Sequence, residues 1–504
     1  MSIVNKLLAR AYGGRLRTID LMATRGEAMQ EAQLRSLLAK GSLTKFGAAH
    51  GLRPDMSYEE FAQSVPVGDY ETLRPYVERM LLGEADVCWP GRAKWFAKSS
   101  GTSGSKSKFI AVTDDVLRQC HTRGNHDVIA TYIRQNPQTR TWRGKCLTLG
   151  GSKQICDTGT GAQTGDLSAI LIGTAPAWSE WFKTPPKDVA LIAKWEEKME
   201  KIARATVRQN VTSLAGVPSW FLVLIKYIIE RQGVSTIQEV WPNLELFIHG
   251  GINFGPYRKQ YEALAPNNMH YLETYNASEG FFALQTDPTD AGLQLMLDYG
   301  VFFEFVPLAE AGNERPAGVV PLEGVRVGED YAVVISTCGG LWRYMIGDTV
   351  RFTQTRPYKV VISGRTKLYI NAFGEELMIA NAEAAMSRAC AETGAVVREY
   401  TAAPVFMDTR SRGCHEWLVE FDSAPPDPAA FASILDKALQ DVNSDYEAKR
   451  YRDITLAPLR LTTARRGLFD RWLAAHDKMG GQNKVPRLKN DRSLIDELLA
   501  MNKE

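Results

Sequence analysis

Apolar positions in the first forty residues recur near helical spacing. Leu16, Ile19, Met22, Met29, Leu34 and Leu38 predict one long helix over 15–40. A stretch rich in Lys, Glu and Ala predicts another over 188–206. From about residue 244 the pattern changes to short aliphatic, β-branched or aromatic runs broken by turn residues. The run 244–249 is stopped by Gly250-Gly251, and 281–285, 293–297, 301–306, 331–336 and 359–363 follow. These predict strands. Helices between the earlier strands argue for an α/β architecture. Two stretches of small and polar residues, 99–107 and 150–165, break the pattern and predict loops.

The texture changes again near Gly364. A helix over 375–393 ends at Gly394, and strands over 396–406 and 417–421 follow. Then come a helix over 428–442, a strand over 454–461 and a helix over 468–478. This α+β tail of about 140 residues is long enough to fold by itself. A chain of 504 residues exceeds one ordinary core. The predicted domains are 1–363, a large α/β domain of mixed sheets and helices, and 364–504, a small α+β domain.

Hydrophobic residues make up 44% of the chain, enough to build these cores without disulfides or metals. The formal net charge is only +2 and the cations are scattered, which argues against nucleic acid or an anionic membrane as main partner. None of the seven cysteines shows Cys-x-x-Cys spacing, so free thiols are expected rather than a zinc or redox site. The best apolar run, 221–229, is short and carries Lys226, so no membrane span is predicted. The basic start, 1–17, lacks the apolar run of a signal peptide. A cytoplasmic monomer is the expectation.

Five constellations carry chemistry. In Ser99-Ser100-Gly101-Thr102-Ser103-Gly104-Ser105-Lys106, hydroxyls and backbone N–H groups are dense enough to wrap a phosphate. Lys106 and Lys108 add charge. The stretch misses the NTPase P-loop because Ser105 stands where that motif has Gly before its Lys; a surface linker is the plain alternative. Thr274-Tyr275-Asn276-Ala277-Ser278-Glu279-Gly280 follows a partly apolar run, 269–272, and so falls at a strand end, where α/β sheets collect ligands. There an aromatic can cover a base, a hydroxyl can bind phosphate and a carboxylate can hold Mg²⁺; a capped turn is the alternative. Gly347-Asp348 can present a carboxylate to both ribose hydroxyls, or close a turn. Ser363-Gly364-Arg365-Thr366-Lys367 falls at the domain boundary and reads as a hinge or a turn. Lys484, in a Gly-rich loop, can bring positive charge to developing negative charge, or be a solvated tail lysine.

In this order the five resemble the acyl-adenylating superfamily that includes firefly luciferase. Ser99-Ser100-Gly101-Thr102-Ser103, Gly216-Val217-Pro218-Ser219-Trp220, His249-Gly250-Gly251, Tyr275-Asn276-Ala277-Ser278-Glu279-Gly280, Arg343-Tyr344-Met345-Ile346-Gly347-Asp348 and Asn371-Ala372-Phe373-Gly374-Glu375 resemble one branch more closely. That branch is the Gretchen Hagen family of acyl acid amido synthetases, especially its bacterial members, and the resemblance runs from about residue 30 to 490. Ser105 departs from a common second Gly and Ala111 from a common Pro; neither change removes a charged group.

The resemblance implies ATP and Mg²⁺, with a carboxylic acid and an amine, an amino acid, as the other substrates. It implies that Ser99, Ser100, Gly101, Thr102 and Ser103 hold the ATP phosphates. Tyr275 would lie against adenine, with Gly250 and Gly251 lining the same pocket. Ser278 would contact the α-phosphate, Glu279 would bind Mg²⁺, and Asp348 would take the ribose hydroxyls. Arg365 would support the nucleotide beside the hinge. Lys484 would swing in with a mobile small domain as the carboxylate attacks the α-phosphorus. No nucleophilic side chain is required, and His249 is expected to serve structure. Val217 and Trp220, with residues near Trp181, are the candidates for an acid pocket that suits an apolar or aromatic acid. An acyl-CoA or carrier-protein ligase would share the adenylation step. A nucleotide- or acid-binding sensor would lack turnover, and the intact Glu279, Asp348 and Lys484 argue against it.

Overall fold

The first helix runs longer than its apolar spacing predicts, Ile3–Gly41, and Arg25 interrupts its regular dihedrals (φ −129°, ψ 19°). Its buried stripe of Ile19, Met22, Leu34, Leu37 and Leu38 joins the main core. Gln30 fixes its position on the sheet. The Gln30 amide donates to the carbonyls of Leu297 and Val301, both at 3.0 Å, and its carbonyl accepts from the Phe303 N–H at 2.8 Å. The computed structural model describes every residue except 1–2, 100–107, 150–155, 193–194, 253, 314–315, 367–368, 408–411, 451–455, 477–484 and 504.

That helix lies on a twelve-stranded mixed sheet. From one edge the strands are Val320–Pro321, Val301–Pro307, Asp330–Thr337, Tyr344–Thr355, Tyr358–Arg365, Leu293–Leu295, Gly280–Leu284, His270–Ala277, Leu246–Gly250, Val211–Gly216, Lys145–Thr148 and Lys183–Thr184. The sheet changes character at His270–Ala277. This strand pairs antiparallel with Gly280–Leu284 but parallel with Leu246–Gly250, and pairing stays parallel to the Lys183–Thr184 edge. Helices such as Pro218–Gln232 and Gly255–Leu264 connect the parallel strands, as a parallel connection requires. A second sheet of four strands contains the antiparallel hairpin Trp95–Ser99 and Lys108–Val112.

The chain after residue 365 alternates helices and strands around a sheet of its own. Val396–Val405, Cys414–Ser423 and Arg460–Thr463 form one sheet. Its last strand pairs parallel, after the crossover helices Pro428–Val442 and Ser444–Arg450. Apolar side chains of 370–488 and of 147–265 share one core.

Several boundaries differ from the sequence pattern, each for a local reason. The helix expected over 375–393 begins at Ile379, because Glu376 has φ 40° and Leu377–Met378 pairs with Tyr369–Ile370. The last strand is Arg460–Thr463 rather than 454–461, placed by its register with Glu416–Val419. The segment 188–206 holds two helices, Lys187–Ala190 and Trp195–Thr206. The predicted loop 150–165 contributes short strands, Cys156–Asp157 and Gln163–Gly165, to the four-stranded sheet. Among the described residues no helix is long and apolar enough to cross a membrane.

Candidate active site

The parallel strands of the large sheet end together. Gly216 pairs with His249 and Gly250 with Thr274, so Val217, Gly251 and the Ser278-Glu279 turn follow the carboxyl ends of three adjacent strands. Ligands of open α/β sheets collect at this edge, most often where the strand order changes. Gly250 is required there by close approach. A Cβ on it would lie 2.3 Å from the Thr274 carbonyl oxygen. Gly251 has φ +83°, which favours glycine. His249 is buried and stacks on Phe254 with ring centroids 4.1 Å apart. Burial, with Arg258 nearby, pushes its pKa down to about 3.

Tyr275, Asp348 and Arg365 come together. The Tyr275 hydroxyl donates to Asp348 Oδ2 at 2.8 Å, and Arg365 Nε donates to Asp348 Oδ1 at 2.7 Å. Asp348 does not sit in a turn. It lies within Tyr344–Thr355, directly opposite Arg365 on Tyr358–Arg365. Tyr358–Arg365 pairs with Leu293–Leu295 only through Lys359 and Val360, so its far end runs past that short strand. Burial works against the Arg365 charge, but Asp348 and Glu376 outweigh it and hold the guanidinium firmly protonated. Burial, then Asp348, drives the Tyr275 hydroxyl well above its ordinary range, so it serves as a donor. The Tyr275 ring is buried edge-on to Phe282.

A second chain of contacts joins the phosphate-loop candidate to the same edge. Residues 100–107 lie outside the described residues; Ser99 and Lys108, on either side of them, are register partners in the hairpin. Lys108 is buried and donates to the Tyr344 hydroxyl at 3.2 Å. Tyr344 in turn donates to Glu279 Oε1 at 3.4 Å. Glu279 and Ser278 form the turn between His270–Ala277 and Gly280–Leu284. Burial raises the Glu279 carboxyl above its ordinary value against the pull of Lys108. Tyr344 is itself pinned by its neighbour. Arg343, with φ 43°, donates to Glu304 at 2.8–3.0 Å and to the carbonyls of Ala62 and Val65.

The acid-pocket candidates divide. Val217 precedes Pro218–Gln232, and Trp220 lies in the first turn of that helix at the carboxyl edge. Trp181 is 79% exposed, in a cleft with Arg143, Lys145 and Asn210 at the amino ends of the parallel strands. It is therefore on the opposite edge from Trp220. Of the predicted nucleotide residues, Ser100, Gly101, Thr102 and Ser103 lie outside the described residues, as does Lys484. Ser99 ends its strand. Among the described residues, no group of three His, Cys, Asp or Glu is placed to hold a metal. Lys108 was visible in the sequence only as added charge. Tyr344, within Arg343-Tyr344-Met345-Ile346-Gly347-Asp348, carried no signal of its link to Glu279.

Residues 15–172 and 154–269 match the GH3 family N-terminal domain, 294–365 its central domain and 380–493 its C-terminal domain. The chain is 24% identical to indole-3-acetic acid-amido synthetase GH3.3 of Arabidopsis thaliana, over 94% of this chain and 91% of that one. It is 25% identical to jasmonoyl–L-amino acid synthetase GH3.5 of Oryza sativa subsp. japonica, over 95% and 96%. The acyl acid amido synthetase AtGH3.15, solved in complex with 2,4-DB, shares the fold with a TM-score of 0.63 at 19% identity, covering 96% of this chain and 95% of that one. With domain matches across well over half of its length, the chain belongs to the GH3 family.

Proposed function

We propose that this protein is an ATP-dependent amido synthetase that joins a carboxylic acid to an amino acid. The observation that carries the reading is convergence at one sheet edge. Tyr275–Asp348–Arg365 and Lys108–Tyr344–Glu279 meet around the Ser278 turn. The acids and amino acids named for the plant relatives support it.

In the first step a carboxylate oxygen of the acid attacks the α-phosphorus of ATP, and the bond to pyrophosphate breaks. In the second the amine attacks the acyl carbon, AMP leaves with its electron pair, and the ammonium-derived proton is released. Asp348 accepts from the ribose hydroxyls, with Tyr275 and Arg365 orienting its carboxylate. Tyr275 and the backbone at Gly250 and Gly251 bound the adenine site. Ser278 donates to the α-phosphate, and residues 99–103 wrap the β- and γ-phosphates. Glu279 is a fit for Mg²⁺, which commonly takes one or two carboxylates and completes its shell with phosphates and water. The ion would neutralise phosphate charge. Val217 and Trp220 wall the acid. Residues 1–363 and 364–504 act as two units, and Lys484 arrives with the second to stabilise charge at the α-phosphorus. Positioning and fixed charge supply the catalysis.

The test is a pyrophosphate-release screen of carboxylic acids crossed with the common amino acids, with products weighed by mass spectrometry. Acid-dependent exchange of pyrophosphate into ATP is expected. Lys484→Ala slows adenylation about a hundredfold or more, the scale of losing one preorganised donor. No exchange with any acid, together with no rise in melting temperature on adding ATP, overturns the reading. A product joined to CoA in place of an amino acid overturns its second half.

A further inference from the structure

Lys449 is buried, and its ammonium hydrogen-bonds to no carboxylate among the described residues. It lies on Ser444–Arg450 and is 3% exposed. Its ammonium sits 3.7 Å from the centre of the Trp220 ring. Gly374 faces both groups: a Cβ there would lie 3.6 Å from Lys449 Nζ and 3.6 Å from Trp220 Nε1. Among the described residues, Arg343 is bonded to Glu304, Arg365 to Asp348 and Lys359 to Asp290. Arg450, the next residue, holds Asp436 at 2.7 Å. The Lys449 ammonium bonds no described carboxylate, although Asp445 stands one helical turn before it.

A methionine would fill the space over Trp220 without bringing a charge into the interior. Burial pulls the Lys449 ammonium down to about 7 against four nearby carboxylates, and a buried charge with no hydrogen-bonded anion is costly, which leaves a place for a ligand's own anion. The surroundings say which. The charges of Asp445 on its own helix, of Glu375 and Glu376 just before Leu377–Met378, and of Asp166 before Leu167–Thr174 all act on it. Glu375 is engaged by His415 and the Phe373 N–H. Glu376 also feels Arg365, Asp348 and Glu279, so this charged seam is continuous with the nucleotide cluster. One buried ammonium among acidic groups complements a zwitterion.

We propose that Lys449 recognises the carboxylate of the acceptor amino acid, while Glu376 and Asp445 face its ammonium. This rests on the amido synthetase reading. The carboxylate being activated meets its positive charge at the α-phosphate. The acceptor's carboxylate is the other one in the reaction and needs a cation elsewhere. Trp220 then becomes a wall common to acid and acceptor, with Lys449 delivered by the C-terminal unit.

The test compares wild type with Lys449→Met and Lys449→Arg, using the acid found active in exchange and two acceptor sets, the common amino acids and their α-amides. Lys449→Met is expected to raise KM for the amino acid about tenfold or more, the penalty for an unmatched polar site. It should leave acid-dependent pyrophosphate exchange within about twofold and abolish the preference for amino acids over amides. Lys449→Arg should restore part of that preference. A second measurement needs no turnover and no Met variant. In the full-length protein labelled with ¹³Cε-lysine, the Lys449 signal, identified by its absence from Lys449→Arg, should titrate to higher pH when the amino-acid mixture is added and stay put with the amides. An unchanged preference, an unmoved signal, or a rise in KM for the acid alone overturns the proposal. Absence of exchange with any acid in wild type, together with no rise in melting temperature on adding ATP, overturns the amido synthetase reading itself, and with it this inference.

Discussion

At the scale of single residues, Asp348 is where the candidate site is most sharply defined. One carboxylate takes a donor on each oxygen, Tyr275 on one and Arg365 on the other. Asp348→Asn keeps the shape but puts an amide where one donor must now face another. ATP should then give less than half its wild-type rise in melting temperature, and adenylation should fall about a hundredfold, as for a lost electrostatic contact. Glu376 gives a pH signature. Burial raises its carboxyl to about 7. Between about 4.5 and about 7 the folded protein holds a proton that the unfolded chain has released. This contribution to stability is full below that window and is lost as pH rises through it. Subtracting the Glu376→Gln stability curve from wild type should expose that slope, and parallel curves would refute it. Asp348 and Tyr275 were legible in sequence because they sit in ordered motifs. Glu376 and Lys449 were not, since a charge among charges shows nothing of its burial.

At the scale of elements, the strands carry the argument. Short apolar runs bounded by turn residues located most of the large sheet, since a central strand must be apolar on both faces. They could not show that Asp348 lies within a strand, because Gly347-Asp348 has the composition of a turn. Only the register opposite Arg365 settles that. The pair Arg343 and Glu304 ties Tyr344–Thr355 to Val301–Pro307 and to the carbonyls that end Tyr58–Ser64. Glu304→Gln leaves a buried guanidinium short of its anion and should cost about 3–5 kcal/mol in urea unfolding. Replacing both residues by apolar ones of similar size should recover much of that loss. Gly250 makes a different point. Its missing Cβ lets Leu246–Gly250 approach the Thr274 carbonyl. Gly250→Ala should destabilise the fold by about 1–3 kcal/mol, as overpacking does, and weaken the ATP-induced thermal shift.

At the scale of the whole molecule, the C-terminal unit is not a loosely hung appendage. The Ser219 hydroxyl donates to the Phe373 carbonyl at 2.8 Å, the Gln260 amide to Met407 at 3.0 Å, and Tyr257 to Ala372. Periodicity gave the α+β order of this unit, but no local pattern reports which distant surface a helix will meet. The Phe373 and Ala372 contacts fall within ten residues of Gly364, close to the proposed pivot.

The pairing of Asp348 with Arg365 has a wider consequence. The carboxylate assigned to the ribose and the guanidinium at the proposed pivot share one bond, so nucleotide occupancy and domain orientation draw on the same interaction. Thermodynamic reciprocity then applies. Whatever factor ATP contributes toward one orientation, trapping that orientation must return to ATP affinity. A disulfide that locks the two units would make the protein a tighter or a weaker nucleotide binder without altering any group that touches ATP.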